Sequence, residues 1–142
     1  MKEIAVVYWS GSGNTEQMAH DLCRGIEDAG CLPRLYRAAE FQETMMAQYE
    51  NIAFGCPAMG FEELEPSEFE PMFQAVEPYL PGKKVALFGS YGWGEGQWME
   101  DWAAAVQKDG AVLVDRPVIS CEEPGEEERI ECETLGATLA LA

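Results

Sequence analysis

Residues 4–15 read Ile4-Ala5-Val6-Val7-Tyr8-Trp9-Ser10-Gly11-Ser12-Gly13-Asn14-Thr15. The first half is an unbroken apolar run, the pattern of a strand covered on both faces. The second half is small and hydroxylated. A helical pattern follows from about Thr15 to Ala29, with Met18, Ala19, Leu22, Cys23 and Ile26 on one face and Gly30 as its stop. A buried strand that turns over a short loop straight into a helix opens a β-α-β unit.

The same alternation continues outward. Leu32 to Tyr36 reads as a strand, and Pro33 places it at a sheet edge because proline cannot donate to a ladder. A weak helical turn lies between Phe41 and Gln48. Asn51-Ile52-Ala53-Phe54-Gly55 is the third strand. A helix is predicted around Pro71 to Leu80, with Met72, Phe73, Val76 and Leu80 on one face and Pro78 kinking or ending it. Val85 to Gly89 is the fourth strand. Trp98, Trp102 and Val106 recur every four residues on a helix ending at Gly110, a core stripe rather than a ligand box. Val112–Val114 and Val118-Ile119 form two halves of a fifth strand around Pro117. A last helix runs from about Gly125, with Leu135 and Leu139 buried. Five strands and about five helices, joined by right-handed crossovers, predict an α/β, doubly wound, five-stranded parallel sheet, and the edge position of strand two gives order 2-1-3-4-5. With no linker or repeat, residues 1–142 read as a single domain.

Composition narrows the function. Nine Lys and Arg face 26 Asp and Glu, a net charge of −17. Such a field repels phosphate backbones and disfavours nucleic acid as a partner. Hydrophobic residues make up 47% of the chain, enough for an ordinary core. No apolar run approaches the ~20 residues of a membrane helix. Met1-Lys2-Glu3-Ile4 leads directly into a strand without signal-peptide architecture, so a cytoplasmic location is expected. Cys23, Cys31, Cys56, Cys121 and Cys132 form no CxxC pair and no ligand cluster, so free thiols and no metal site are expected. His20 is expected on the surface, and no hydrolytic or nucleophilic constellation is present. The run Glu122-Glu123 and Glu126-Glu127-Glu128 is either a solvated face or the rim of a docking site.

In a doubly wound sheet, ligands sit beyond the carboxyl ends of the strands where strand order reverses. That rule selects three loops. Ser10 to Thr15 joins a strand to a helix N-terminus, whose dipole favours an anion. It contains no Lys or Arg, lacks the GxxxxGK[ST] spacing, and has Glu16 where a dinucleotide fingerprint needs its third glycine. A terminal monophosphate held by neutral donors is expected. Cys56-Pro57-Ala58-Met59-Gly60-Phe61-Glu62 follows strand three. Ser90-Tyr91-Gly92-Trp93-Gly94-Glu95-Gly96 follows strand four and sets two aromatics among glycines. A flat aromatic ligand between Met59 and Trp93 would satisfy both.

Together, SGSGNT at 10–15, CPAMGFEE at 56–63 and GSYGWG at 89–94 resemble the three cofactor loops of the flavodoxins, in their short-chain clostridial form. The resemblance runs along the whole chain, and the lack of an insertion near Pro117 is similar to the short-chain class. It implies a flavodoxin-like fold and one non-covalent FMN. It places the phosphate on Ser10, Gly11, Ser12, Gly13, Asn14 and Thr15, and the flavin among Pro57, Ala58, Met59, Gly60, Phe61 and Glu62 on one side and Gly89, Ser90, Tyr91, Gly92 and Trp93 on the other. Met59 would pack on the inner face and Trp93 on the outer. Glu62 would accept from flavin N3–H, and the Gly60 peptide would flip so that its carbonyl meets N5–H in the semiquinone. Phe61 departs from the small or acidic residue more usual there, which bears on semiquinone stability. The implied function is a monomeric, low-potential one-electron carrier on the semiquinone/hydroquinone couple, not an enzyme. Its implied partners are pyruvate–ferredoxin oxidoreductase, hydrogenase or NAD(P)H-flavodoxin reductase types with basic docking surfaces. An FMN-dependent quinone or disulfide reductase of the same fold and a metalloenzyme activator are the alternatives. A phospho-receiver fits poorly, since Trp9, Ser10 and Cys56 stand where clustered Asp would be needed.

Overall fold

The computed structural model describes residues 2–142. Strand β1 (Glu3–Tyr8) leads into α1 (Asn14–Asp28), then β2 (Leu32–Arg37), two 3-10 turns, β3 (Asn51–Gly55), α2 (Phe69–Val76), β4 (Lys84–Tyr91), α3 (Gln97–Lys108), the short β5 (Val112–Leu113) and β6 (Val118–Cys121), and α4 (Glu126–Leu141). All strand pairs are parallel, in the order β2-β1-β3-β4-β5, and β6 also pairs with β4. The expected order 2-1-3-4-5 is therefore present. The two expected halves of strand five are β5 and β6, which pair with successive segments of β4, Lys84–Val85 and Phe88–Tyr91.

The alternation of β1 accounts for its continuous apolar run. Ile4, Val6 and Tyr8 face a core shared with α1 and α4, where Met18, Leu22, Ile26, Leu135 and Leu139 are buried. Ala5 and Val7 face the opposite core, where Phe54, Phe69, Phe73, Trp98 and Trp102 pack under α2 and α3. Trp98 and Trp102 are core residues, as their spacing predicts, and His20 is exposed. Helix α2 starts two residues before Pro71 because Glu65 accepts from the N–H groups of Glu68 and Phe69 at 2.7 and 2.9 Å. It ends at Val76, and Pro78 continues as a single 3-10 turn. Burial opposes ionisation of Glu65, but the Ser67 hydroxyl and three backbone N–H groups outweigh it and hold the carboxyl below its usual range.

Helices α1 and α4 touch backbone to backbone. A Cβ on Gly136 would lie 2.1 Å from the Leu22 carbonyl oxygen, and one on Gly25 would lie 1.9 Å from that of Glu133. Gly136→Ala should force the helices apart and destabilise the protein by roughly 1–3 kcal/mol in urea denaturation, whereas His20→Ala should change stability by less than about 0.5 kcal/mol.

On the other face of the sheet, burial first, then the hydrogen bond and charge of Asp109, push the Glu77 carboxyl up to about 7. Asp109 Oδ2 is buried without a donor among the described residues, and a proton on Glu77 would supply one. A carboxyl whose pKa rises on folding stabilises the protein when protonated, so its contribution is full below the ordinary value of 4.5 and lost as pH rises through 7. Stability should fall across that window, and Glu77→Gln should flatten the slope in denaturation curves taken pH by pH.

Candidate cofactor site

A cleft of about 340 Å³ opens over the carboxyl ends of β1, β3 and β4. Its walls are Trp9, Ser10, Gly11, Ser12, Asn14 and Thr15 from the first loop, Pro57, Ala58 and Met59 from the second, Ser90, Tyr91 and Gly92 from the third, and Glu122 beyond β6. The three expected loops thus meet at one site. No Lys, Arg or His borders it.

The first loop is held by its own side chains. Ser10 Oγ accepts from the N–H groups of Gly13 at 3.1 Å and Glu16 at 3.2 Å. Gly13 takes φ 99° and has no side chain with which to cap α1, and Ser10 takes only the Glu16 N–H of the first turn, so the N–H groups of Asn14 and Thr15 remain free for a ligand. Thr15 and Ser90 are buried, and their hydroxyls meet at 2.8 Å, which ties the first loop to the third. A neutral donor set on a helix N-terminus suits a phosphate dianion, which needs hydrogen bonds more than a countercharge. The cleft's chemistry therefore fits a phosphate ester.

The second loop extends the pairing of β3 with β4. Cys56 N donates to Phe88 O at 3.1 Å, and Ala58 N donates to Ser90 O at 2.9 Å. Gly89 lies under this crossing, where a Cβ would fall 2.1 Å from the Cys56 carbonyl oxygen. Met59 and Glu63 then exchange two hydrogen bonds of 2.8 Å and close a tight turn. Its tip is Gly60, Phe61 and Glu62, with φ 52° at Gly60 and 56° at Glu62. Phe61 is 90% exposed. On the third loop, Tyr91 packs on Trp98 with ring centroids 5.5 Å apart, while Trp93 is 62% exposed. An aromatic ring on solvent beside an apolar cleft is free to stack on a ligand.

Six expected residues do not border the cleft itself. Gly13 and Gly89 shape it through the backbone, and Gly60, Phe61, Glu62 and Trp93 lie on the adjoining loop segments. Two lining residues escaped sequence reasoning. Trp9 ends the first strand run, and its indole N–H donates to Glu68 at 2.9 Å. Glu122 holds φ 59° and donates its N–H to Tyr91 O at 2.7 Å. The carboxyl-end rule, applied to the fifth strand as well, would have found Glu122. The nearby thiol of Cys56 is pushed well up by burial, so it is no thiolate nucleophile. Burial and the hydrogen bond to Glu16 push the Tyr8 phenol up to about 12.

The family profile described as Flavodoxin matches residues 6–135. The chain is 42% identical over 139 residues to a flavodoxin of Megasphaera elsdenii, covering 98% of this chain and 99% of that one. It is 42% identical over 135 residues to a flavodoxin of Clostridium beijerinckii, covering 95% and 97%. The solution structure of two-electron reduced Megasphaera elsdenii flavodoxin superposes with a TM-score of 0.90 over 98% of this chain and 99% of that one, at 42% identity. A fold with this strand order, a three-loop cleft at its carboxyl edge and relatives matched end to end lead to one conclusion: the chain belongs to the flavodoxin family.

Proposed function

We propose that the cleft seats FMN with its phosphate on Ser10–Thr15 and its ring between Met59 and Trp93, and that the protein passes one electron at a time at low potential. As a member of its family the chain is an FMN-binding electron carrier, not an enzyme. The observation that carries the finer reading is the N-terminus of α1, with its Asn14 and Thr15 N–H groups open, beside a cleft that no cation borders.

Bound FMN supplies the electron chemistry; the chain sets its affinity and potential. The dipole of α1 and the hydroxyls of the first loop hold the phosphate without neutralising it. Met59 and Trp93 would exclude water from the ring faces, and Glu62 would accept a hydrogen bond from N3–H. Glu62, Glu122, the phosphate and a net charge of −17 would all oppose negative charge added to the ring. Screening is weakest inside the stacked site, so these charges lower the potential of the second electron most. Gly60 would offer its carbonyl to N5–H. A Cβ at Gly60 would meet nothing within 4 Å, so a side chain there acts through the backbone at φ 52° rather than by collision.

Redox enzymes are the partners of such a carrier. Basic docking surfaces on them, of the pyruvate–ferredoxin oxidoreductase, hydrogenase or NAD(P)H-flavodoxin reductase types, would complement the acidic surface. A monomeric, cytoplasmic protein with residues 1–142 as one FMN-binding domain completes the proposal. Among the described residues no helix is long and apolar enough to cross a membrane.

Anaerobic dithionite titration should resolve two one-electron steps, and a single two-electron step would overturn the carrier mechanism. Gly60→Val should lower the first one-electron potential by roughly 40 mV, the equivalent of one ~1 kcal/mol hydrogen bond; an unchanged first potential removes Gly60 from the account. By fluorescence quenching, the cofactor-free protein should bind FMN at least about a hundredfold more tightly than riboflavin. Equal affinities would detach the first loop from the phosphate.

A further inference from the structure

Helix α3 begins at Gln97, whose N–H is one of the orphan donors at a helix start. Its N-cap, Gly96, has no side chain to offer. The acceptor arrives from another loop: Glu62 Oε1 receives the Gln97 N–H at 2.9 Å. The carboxylate lies over Gly94, where a Cβ would stand 2.8 Å from both Cδ and Oε1 of Glu62. Glu62 keeps a left-handed backbone at φ 56°, uncommon for a residue with a side chain. The Met59–Glu63 hydrogen bonds hold it there from one side and α3 from the other.

We propose that Glu62 is an N-cap supplied in trans, which latches the Met59 turn onto the start of α3 before any cofactor arrives. One carboxylate then positions both ring-bearing loops. The strap of residues 91–96 carries Trp93, and Glu62 fixes that strap at its far end, at Gly94 and Gln97. The positive end of α3 attracts and orients the carboxylate. The latch uses Oε1 and leaves Oε2 for a second donor. Glu62 is thus a positioning residue for the cleft, a role separate from its contact with the flavin. The link to cofactor affinity rests on the FMN reading above, whereas the latch itself does not.

The test is amide hydrogen exchange by NMR on the cofactor-free protein, paired with FMN titration by fluorescence quenching. Gln97 should be protected although no intrahelical bond explains it. Glu62→Ala should speed its exchange at least about tenfold and loosen residues 59–63 with it. Glu62→Gln should fall between, because an amide oxygen still accepts. Gly94→Ala leaves Glu62 in the chain but displaces its carboxylate, so it should also expose Gln97 and weaken FMN binding about tenfold. An unprotected Gln97 in the parent protein, or the same exchange rate in a folded Glu62→Ala, overturns the latch. So does a folded Gly94→Ala that binds FMN normally while Glu62→Ala binds it weakly, since Glu62 would then act on the ring alone. Should Gly94→Ala not fold, the two Glu62 variants decide. If the parent protein binds no FMN, the cofactor reading fails and the exchange data alone decide the latch.

Discussion

The carboxyl ends of β3 and β4 cross at a distance that only a glycine at position 89 permits. A Cβ there would fall 2.1 Å from the carbonyl oxygen of Cys56. At that crossing Cys56 is gripped from three directions. Its N–H donates to Phe88 O, its carbonyl accepts the Trp98 indole N–H at 3.2 Å, and its sulfur accepts the Glu65 N–H at 3.3 Å. Strand, α3 and the entry to α2 therefore converge on one residue. The second loop leaves the sheet from this fixed point, and the third loop starts one residue beyond Gly89. The buried Thr15–Ser90 hydrogen bond then attaches the first loop to the same frame. The three separate loops of the cleft are thus all tied at their roots.

The acidity of the chain has an internal use. Glu65 receives the first N–H groups of α2, Glu62 caps α3, and Glu128 accepts from Gly125 at the start of α4. Three of the four α-helices thus begin on a glutamate, where the helix dipole favours a negative charge. Among the described residues only α1 starts without such a glutamate; Ser10 takes one of its N–H groups, and the rest face the cleft. The exception leaves a positive helix end for a phosphate in an otherwise acidic molecule. Part of the charge that reads from composition as solubility or steering is structural.

Environment divides Glu65 from Glu77. Hydrogen bonds to the charged form hold Glu65 ionised, and burial beside Asp109 holds Glu77 protonated toward neutral pH. The two sit at opposite ends of α2 and its following turn. One fastens the end near the cleft; the other lies far from it and acts on stability. Their residue type is the same, so nothing in composition separates them.

Local rules were enough for much of this molecule. The unbroken run Ile4–Trp9 means a strand buried on both sides, Pro33 means an edge, and Trp98 and Trp102 at four-residue spacing mean a helix stripe against the core. From these the strand order follows, and with it the loops that share one edge. Each such inference uses residues close in sequence, whose geometry the backbone fixes directly. The tertiary structure alone decided which side chains meet across those loops. Glu62 with Gln97, Thr15 with Ser90, Trp9 with Glu68 and Gly136 with Leu22 are separated by tens of residues or more. Such pairs depend on how the sheet twists and how closely helices approach it. Those quantities sum over the whole chain, and no single stretch of sequence carries them.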